Sequence, residues 1–133
     1  MLVPQRLVEV VAERIDHAGN VVEPLVDVDV NAAVDRLRGK GVTSIAVCYL
    51  FSFTNPAHER RTAEIIRAAA PEMRVTLSSD VLPVIREYAR LSTTVVDAYV
   101  GPAVGTYLDR LGEGLAARGV TTPQRFVMQS SGG

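Results

Sequence analysis

The chain has 133 residues, of which 47% are hydrophobic and 22% charged, a composition typical of one soluble, folded domain. Its 14 Lys and Arg residues against 15 Asp and Glu residues give a net charge of -1, so there is no electrostatic reason to expect a nucleic-acid partner. No apolar run approaches the roughly 20 residues of a membrane span and the N-terminus has no signal-peptide pattern, so we expect a cytoplasmic protein that does not enter a membrane.

The first predicted element is a β-hairpin. RLVEVVAERID is rich in valine and partly alternating, DHAGN supplies turn residues, and VVEPLV resumes the alternation. Pro24 lacks the N–H group that a strand ladder needs, so we expect the second strand to lie at a sheet edge or to end there.

The second predicted element is an amphipathic helix. Asp29 is expected to cap its start, and Gly39 or Gly41 to end it. Four apolar residues follow the helical spacing i, i+3, i+4, i+7 and are predicted to face the core: Val30, Ala33, Val34 and Leu37.

A buried strand is predicted next. TSIAVCYLFSF is a continuous apolar run without polar alternation, which is typical of a strand at the centre of a sheet with both faces covered by helices. Cys48, the only cysteine, lies inside this run. We therefore interpret it as a buried, unreactive thiol rather than a nucleophile or metal ligand.

A helix and a short strand follow. Asn55 is expected to cap the helix with Pro56 at its first position, and Pro71 to stop it after about Ala69. The residues predicted to face inward are Ala63, Ile66 and Ala70. RVTLSSD is predicted to be a strand, and the alternation of helices and strands predicts an α/β domain with a mixed sheet layered with helices.

The last predicted helix is long. It is expected to start at the hydroxyl cluster Ser92–Thr94 and to run almost to Gly119, with a kink or a break at Gly101-Pro102. Its spacings of four, four, three, four and four predict one continuous apolar face, formed by Val96, Val100, Val104, Tyr107, Leu111 and Leu115.

The chain ends in RFVMQSSGG, which we interpret as a strand that runs into a turn. Such a turn is able to hold phosphate through backbone N–H groups and hydroxyls, and this assigns candidate nucleotide-phosphate contacts to Gln129, Ser130, Ser131, Gly132 and Gly133. Because a strand followed by this turn normally leads to further structure, we expect the chain to be a fragment of a longer protein.

Metal and nucleophile chemistry have little support. The only histidines are His17, in the hairpin turn, and His58, in the first turn of a helix, where it either has no function beyond structure or belongs to a site. With no HExxH motif and no Cys/His cluster, no metal site is expected. No catalytic triad is identifiable, and neither GxxxxGK(S/T) nor GxGxxG is present.

The stretch REYARLSTTVVDAYVGP allows two interpretations. In the first, its hydroxyls cap a helix and its charges face solvent. In the second, three hydroxyls at a helix N-terminus beside two arginines bind a phosphate or carboxylate, since free N–H groups and the helix dipole also favour an anion. The resulting candidates for substrate or phosphate contact are Arg86, Glu87, Arg90, Ser92, Thr93, Thr94 and Asp97, and the catalytic residues are not identified.

Four blocks of the sequence carry a family resemblance. In order, they are RLVEVVAERIDHAGNVVEPL, GVTSIAVCYLFSFTNPAHERR, LSSDVLPVIREYARLSTTVVDAYVGP and FVMQSSGG. Together they resemble the N-terminal region of the hydantoinase/oxoprolinase family, which includes N-methylhydantoinase A-like proteins, 5-oxoprolinases and subunits of acetone and acetophenone carboxylases. The resemblance covers nearly the whole chain from about Arg6.

The resemblance implies an ATP-dependent enzyme. Family members use ATP and a divalent metal such as Mg²⁺ to activate a cyclic amide or a ketone, most simply by phosphorylating its oxygen, within the two-lobed, ribonuclease H-like architecture of actin, Hsp70 and the sugar kinases. In such a lobe, residues 1–90 would form the layered part, 91–119 a connecting helix and 124–133 the start of the next lobe. The family's GGTFTD phosphate loop is missing here, so we expect the isolated fragment to be inactive.

The sequence also departs from the family pattern. Ala89 stands where an acid is common, Asp80 replaces a frequent glutamate, Asp97 stands where asparagine is common, and Ser131 replaces the usual asparagine of QSNGG. The last change affects the predicted phosphate turn. The block REYARLSTTVVDAYVGP is more similar to the hydantoinase branch than to the oxoprolinase branch.

Three hypotheses follow from the resemblance. The first is a part of an ATP-dependent hydrolase of cyclic amide C–N bonds, acting on hydantoin, 5-oxoproline or a similar small molecule. The second is a non-catalytic structural or subunit-contact module of a related ketone carboxylase, and the third is a phosphotransferase. A second, hydantoinase B-type subunit and an oligomeric assembly are the expected partners.

Overall fold

The computed structural model describes residues 3–124 and 126–128. They belong to two compact units, Met1–Pro102 and Ala103–Gly133. In these ranges, none of the helices combines the length and apolarity needed to cross a membrane. Among the described residues, the first unit contains all the strands and three complete α-helices, and it is the unit that positions the candidate site.

The N-terminal part is a 3-10 turn, Gln5–Leu7, followed by the predicted hairpin. Strands β1 (Arg14–Ile15) and β2 (Val21–Glu23) pair antiparallel, which confirms the hairpin, and β2 ends directly before Pro24, as expected. The Asp16 side chain holds the turn by accepting hydrogen bonds from the N–H groups of Ala18 and Asn20, at 2.9 and 2.8 Å. The first strand is much shorter than predicted, because residues 8–13 form no regular structure.

Helix α1 spans Asp27–Gly39 and starts earlier than predicted. Asp29 is therefore not its cap. Asp27 and Asp29 both lie in the first turn, where the positive end of the helix dipole stabilises their negative charges. The four residues predicted to face the core are all buried, which confirms the helical face.

Strands β3 (Ser44–Val47) and β4 (Arg74–Leu77) are parallel neighbours connected by helix α2 (Ala57–Ala69), which makes a β-α-β unit. The strand predicted from TSIAVCYLFSF is too long, because the chain turns at Leu50–Thr54 and Phe51 adopts a φ of 56°. Within the described residues β3 pairs with β4 alone, so its predicted place at the centre of a sheet is not observed, and the two strand pairs form separate sheets.

The two faces of the β3–β4 sheet are covered by different helices. Ile45, Val47 and Leu77 join α1 and α2 in the hydrophobic core, together with residues such as Val34 and Ile66. On the other face, the Ser44 hydroxyl donates to the carbonyl of Ala98 at 2.8 Å, and the Thr76 hydroxyl donates to the Asp97 carboxylate at 3.1 Å. The first unit is therefore a layered α/β domain, as predicted.

The start and the end of α2 agree with the prediction. The Asn55 side-chain oxygen accepts a hydrogen bond from the N–H of Ala57 at 3.0 Å, and the helix ends two residues before Pro71. Ala63, Ile66 and Ala70 are at most 1% exposed, which confirms the inward face. The end of the predicted RVTLSSD strand is instead a short helix, α3 (Ser78–Val81).

Helix α4 spans Glu87–Ala117 and departs most from the prediction. It begins well before Ser92, so the hydroxyl cluster lies inside the helix, and it includes Pro102 without a break into two helices. The predicted apolar face is not packed: Val96 and Val100 are 44% and 42% exposed, and Val104, Tyr107 and Leu111 are exposed as well. The buried residues are instead Arg90, Thr94, Ala98 and Gly101. Residues 126–128 form no strand, in contrast to the predicted RFVMQSSGG strand.

Candidate functional site

The first turns of α4 bury an arginine. The Arg90 side chain is 0% exposed, its Nη2 donates a hydrogen bond of 2.7 Å to the carbonyl of Tyr49, and its guanidinium carbon lies 5.3 Å from the centroid of the Phe53 ring. The other two nitrogens, Nε and Nη1, are buried without a hydrogen-bond partner in the described structure. A buried cation without a counter-ion is costly, by several kcal/mol, and the aromatic ring offsets only a part of this.

A cavity of about 360 Å³ lies beside this arginine. Its walls combine the loop after β3 with the start of α4, and they are mostly apolar. Glu87 and Arg90 contribute the charged groups, and the remaining lining residues are Cys48, Tyr49, Leu50, Tyr88 and Leu91. Cys48 is half-buried and lines the cavity, so the expectation of a fully buried thiol is wrong.

A buried carboxylate fixes the loop that carries Tyr49 and Phe53. Glu59 is 0% exposed, and its Oε1 accepts hydrogen bonds from the N–H of Tyr49 at 3.0 Å and from the hydroxyl of Ser78 at 2.5 Å. Its Oε2 accepts from the N–H of Ser79 at 2.9 Å, and Ser78 also shares a bond of 3.1 Å with the buried Ser52 hydroxyl. Glu59 therefore connects α2, the loop after β3 and the start of α3.

The Tyr49 ring is held between this loop and α2. Its hydroxyl lies 3.0 Å from that of Thr62. Burial raises the pKa of the Tyr49 phenol, and the negative charges of Glu13 and Glu59 raise it further, while the bond to Thr62 opposes them. The bond to Thr62 and the bond from the Tyr49 N–H to Glu59 hold this loop in place, and the loop presents the Tyr49 carbonyl to Arg90.

His58 contacts a buried carboxylate, that of Glu13. Its Nδ1 lies 2.7 Å from Oε2 of Glu13, and the two side chains are 10% and 6% exposed. Glu13 comes from the irregular segment before β1, so the pair attaches that segment to the first turn of α2. This contact supports the structural interpretation of His58.

The hydroxyl cluster does not lie at a helix N-terminus, because α4 starts at Glu87. The Thr93 hydroxyl donates to the carbonyl of Ala89 at 2.8 Å, and the Thr94 hydroxyl donates to the carbonyl of Arg90 at 2.7 Å. Such bonds within a helix satisfy the threonine side chains locally. Thr94 is also fully buried, so the premise of the anion hypothesis, free hydroxyls at a helix start, is wrong for this residue.

The other candidates are dispersed. Arg86 precedes α4, is exposed and has a φ of 97°. Asp97 lies within α4, and its carboxylate accepts a hydrogen bond from Thr76. Of the seven candidates in this stretch, Glu87 and Arg90 share the cavity. The predicted phosphate contacts Gln129, Ser130, Ser131, Gly132 and Gly133 lie outside the described residues.

The sequence interpretation missed Glu59 and its serine partners. Glu59 lies in the first turn of a helix that starts at Asn55-Pro56, where a glutamate is more often a solvated or capping residue. Nothing local marks it as buried, because its three donors come from other elements, the loop after β3 and the start of α3.

The described residues show no cluster of metal ligands, and the cavity beside Arg90 does not suit a nucleotide. Over residues 3–124 and 126–128, no group of three or more His, Cys, Asp or Glu side chains is arranged to hold a metal ion. The cavity beside Arg90 contains one buried cation and a neighbouring acid, which does not fit a triphosphate. We therefore assign no contact with ATP or Mg²⁺ to these residues.

Comparison with known proteins shows that the chain belongs to the hydantoinase/oxoprolinase family. Residues 1–70 match the family described as the hydantoinase/oxoprolinase N-terminal region. The chain is 39% identical over 133 residues to the caprolactamase subunit alpha of Pseudomonas jessenii. This match covers 100% of this chain and 19% of that protein. It is 38% identical over 136 residues to the acetophenone carboxylase gamma subunit of Aromatoleum aromaticum, covering 98% of this chain and 19% of the relative.

The fold is similar to that of a solved enzyme. The crystal structure of the ATP-dependent caprolactamase from Pseudomonas jessenii superimposes with a TM-score of 0.84 at 37% identity, over 94% of this chain and 18% of the solved one. The chain therefore spans about a fifth of the length of the proteins that it resembles.

Proposed function

Because the chain belongs to the hydantoinase/oxoprolinase family, we propose that it is part of an ATP-dependent enzyme that hydrolyses the C–N bond of a cyclic amide. The observation that carries this proposal is the similarity to the caprolactamase subunit alpha over the whole chain, in both sequence and fold. Since the chain covers 19% of that relative, the complete reaction belongs to a longer protein.

The chemistry explains why such an enzyme needs ATP. Amide resonance makes the carbonyl carbon a poor electrophile. Transfer of the terminal phosphate of ATP to the carbonyl oxygen, with release of ADP, removes this resonance and turns the oxygen into a leaving group, so that water can attack the carbon. In enzymes of this kind the protein's contribution is mainly to position the reactants and to stabilise charge. We propose that the first unit contributes to positioning, because the Glu59 network and the Tyr49–Arg90 contact fix the start of α4 against the β3–β4 sheet.

The geometry favours two of the seven candidate residues for contact with a substrate. We retain Glu87 and Arg90 as the residues with which this chain faces a small molecule, since both line the cavity. Arg86 and Ser92 stay predictions. The division into a layered part, a connecting helix and the start of a second, actin-like lobe is likewise our proposal for the longer protein.

The test is a substrate panel on the full-length protein with its partner subunit. We expect phosphate release from ATP to depend on an added cyclic amide, such as caprolactam, hydantoin or 5-oxoproline, and the ring-opened acid to appear in equal amount. Acetone and acetophenone with bicarbonate are the matched controls. Phosphate release that depends on a ketone and bicarbonate, with none on any cyclic amide, would overturn the proposal in favour of a carboxylase.

A second candidate function is a subunit-contact module of such a carboxylase. It is supported by the exposed apolar residues of α4 in the first unit, Val96, Tyr99 and Val100, and by relatives that are named as subunits. The discriminating measurement is sedimentation of the full-length protein with its partner subunit. Loss of the complex in a Val100→Asp variant, with ketone-dependent ATP hydrolysis in the wild type, would favour this function.

A further inference from the structure

The cavity beside Arg90 has an unusual charge distribution. Its only buried charge is the Arg90 guanidinium, which is 0% exposed and leaves Nε and Nη1 without a partner in the described structure. The one bond that the guanidinium donates goes to a neutral acceptor, the carbonyl of Tyr49. A buried cation is stabilised far more by an anion than by a carbonyl. In the described structure the guanidinium has no bonded anion, so its two unpartnered nitrogens are suited to a negatively charged ligand.

The cavity walls limit which anion fits. Leu50, Tyr88 and Leu91 form an apolar rim and are 47%, 85% and 46% exposed, so the cavity opens to solvent between apolar side chains. Glu87, also in the lining, repels a second negative charge on the ligand. A monoanion with an apolar body therefore fits better than a phosphate dianion.

We propose that this cavity binds the carboxylate of a small molecule with a short aliphatic body, with the carboxylate on Nε and Nη1 of Arg90 and the aliphatic chain against the Leu50, Tyr88 and Leu91 rim. Because the two nitrogens are sealed from solvent, a rim side chain turns aside when the ligand enters. Hydrolysis of a cyclic amide breaks its C–N bond and leaves a carboxylate at one end of the opened chain and the nitrogen group at the other, so the site would hold the carboxylate end of the reaction product. That last step rests on the proposed function, whereas the binding itself does not.

The first experiment measures binding by isothermal titration calorimetry on the full-length protein, with hexanoate as the probe and its neutral analogue hexanamide as the control. A charge-assisted hydrogen bond contributes about 1.5–3 kcal/mol, so we expect hexanoate to bind at least about tenfold more tightly than hexanamide. Equal affinity for the two compounds, or no binding of hexanoate, would overturn the proposal. So would displacement of hexanoate by equimolar inorganic phosphate.

Variants locate the binding site. Arg90→Met keeps the apolar stem without the charge and is expected to weaken hexanoate binding at least about tenfold, whereas Arg60→Met, on the exposed side of α2, leaves it within twofold. If Arg90→Met does not fold, Leu91→Trp fills the cavity while it keeps the guanidinium, and it is expected to abolish binding. Wild-type affinity in Leu91→Trp, or in a folded Arg90→Met, contradicts the assignment.

Cys48 provides an independent readout, because it lines the same cavity. Hexanoate, but not hexanamide, is expected to slow alkylation of Cys48 by iodoacetamide, followed by mass spectrometry of its peptide. Equal alkylation rates with both compounds count against the proposal. If the protein binds hexanoate but shows no amide-dependent ATP hydrolysis, the proposed function is wrong and the carboxylate site stands. If it shows amide-dependent ATP hydrolysis but does not bind hexanoate, the carboxylate site is wrong and the proposed function stands.

Discussion

Glu59 and Ser78 share a hydrogen bond of 2.5 Å that joins the first turn of α2 to the first residue of α3, and both residues are 0% exposed. The same carboxylate also accepts from the backbone N–H groups of Tyr49 and Ser79. One buried acid therefore holds together three segments that lie far apart in the sequence.

Glu59→Ala is expected to lower the free energy of unfolding by about 2–4 kcal/mol, because three buried donors lose their acceptor. The measurement is urea denaturation of the variant and the wild type. Glu64→Gln is the matched control on the same helix. Glu64 forms an exposed ion pair with Arg61 at 2.7 Å, so its removal is expected to change stability by less than about 0.5 kcal/mol. Equal effects of the two changes would contradict the role of Glu59.

The packed face of α4 is tested by two aspartate substitutions. Ala98 is 7% exposed, whereas Val100, which belongs to the apolar face predicted from periodicity, is 42% exposed. We expect Ala98→Asp to destabilise the first unit by about 3 kcal/mol or more, because it buries a charge, and Val100→Asp to change its stability by less than about 1 kcal/mol. Urea denaturation of both variants measures the two losses of stability. A larger loss in Val100→Asp than in Ala98→Asp would show that the apolar face predicted from periodicity is the packed face.

Asn55 has two roles that one substitution removes. Its side-chain oxygen accepts from the N–H of Ala57, and its Nδ2 donates to the carbonyl of Gly19 at 2.9 Å. We expect Asn55→Ala to lower the free energy of unfolding by about 1–2 kcal/mol, the range of a lost helix cap. Asn31→Ala serves as the control, since the Asn31 amide bonds only within α1, to the carbonyl of Asp27. Thermal unfolding of both variants gives the comparison.

Tyr49 is expected to ionise after the other tyrosines, because burial raises its pKa. The chain has 4 tyrosines, and ultraviolet absorbance during alkaline titration follows all of them. The last component of the titration is expected to disappear in Tyr49→Phe. The preference for neutral Tyr49 contributes stability below the pKa of an unfolded tyrosine, about 10, and this contribution is lost as the pH rises through the higher folded value. A Tyr49→Phe titration that retains the late component would exclude this assignment.

The surface ion pairs are expected to make the stability of the folded chain depend on pH in the acid range. The bonds from Lys40 and then Arg36 lower the pKa of Glu9, and the bond from Arg61 lowers the pKa of Asp27. A lowered folded pKa contributes stability above the unfolded value, near pH 4, and that stability is lost as the pH falls further. The double variant Glu9→Gln, Asp27→Asn is therefore expected to be less stable than the wild type at pH 7 and equally stable at pH 2. A constant difference in urea midpoint at both pH values would contradict this.

Local signals in the sequence were sufficient for several elements. Asn55-Pro56 and Pro71 delimit α2 because capping and proline effects act within a few residues. Pro24 ends β2 for the same kind of reason. The spacing of Val30 and Val34 identifies the inner face of α1, because the apolar face is also the packed face there.

The same argument from spacing fails for α4. Its buried residues Arg90, Thr94, Ala98 and Gly101 have spacings of four, four and three, as the predicted apolar face does, but they lie on another side of the helix. What buries them is non-local: the Tyr49 carbonyl, the Phe53 ring and the Ser44 hydroxyl come from other elements. Periodicity predicts which residues share one face of a helix, whereas the elements that pack against the helix determine which of its faces is buried. For the candidate site, the sequence therefore identified Arg90 without its environment.

The segment from Glu9 to Glu13 has no regular secondary structure, yet its side chains are anchored at both ends. Glu9 pairs with Lys40 and Arg36 of the α1 end, and Glu13 pairs with His58. Backbone amides outside helices and ladders exchange with deuterium quickly, whereas anchored side chains keep the chain in place. This stretch should thus take up deuterium early while proteases cleave it slowly, so rapid exchange here would report missing ladder bonds and not a loose chain.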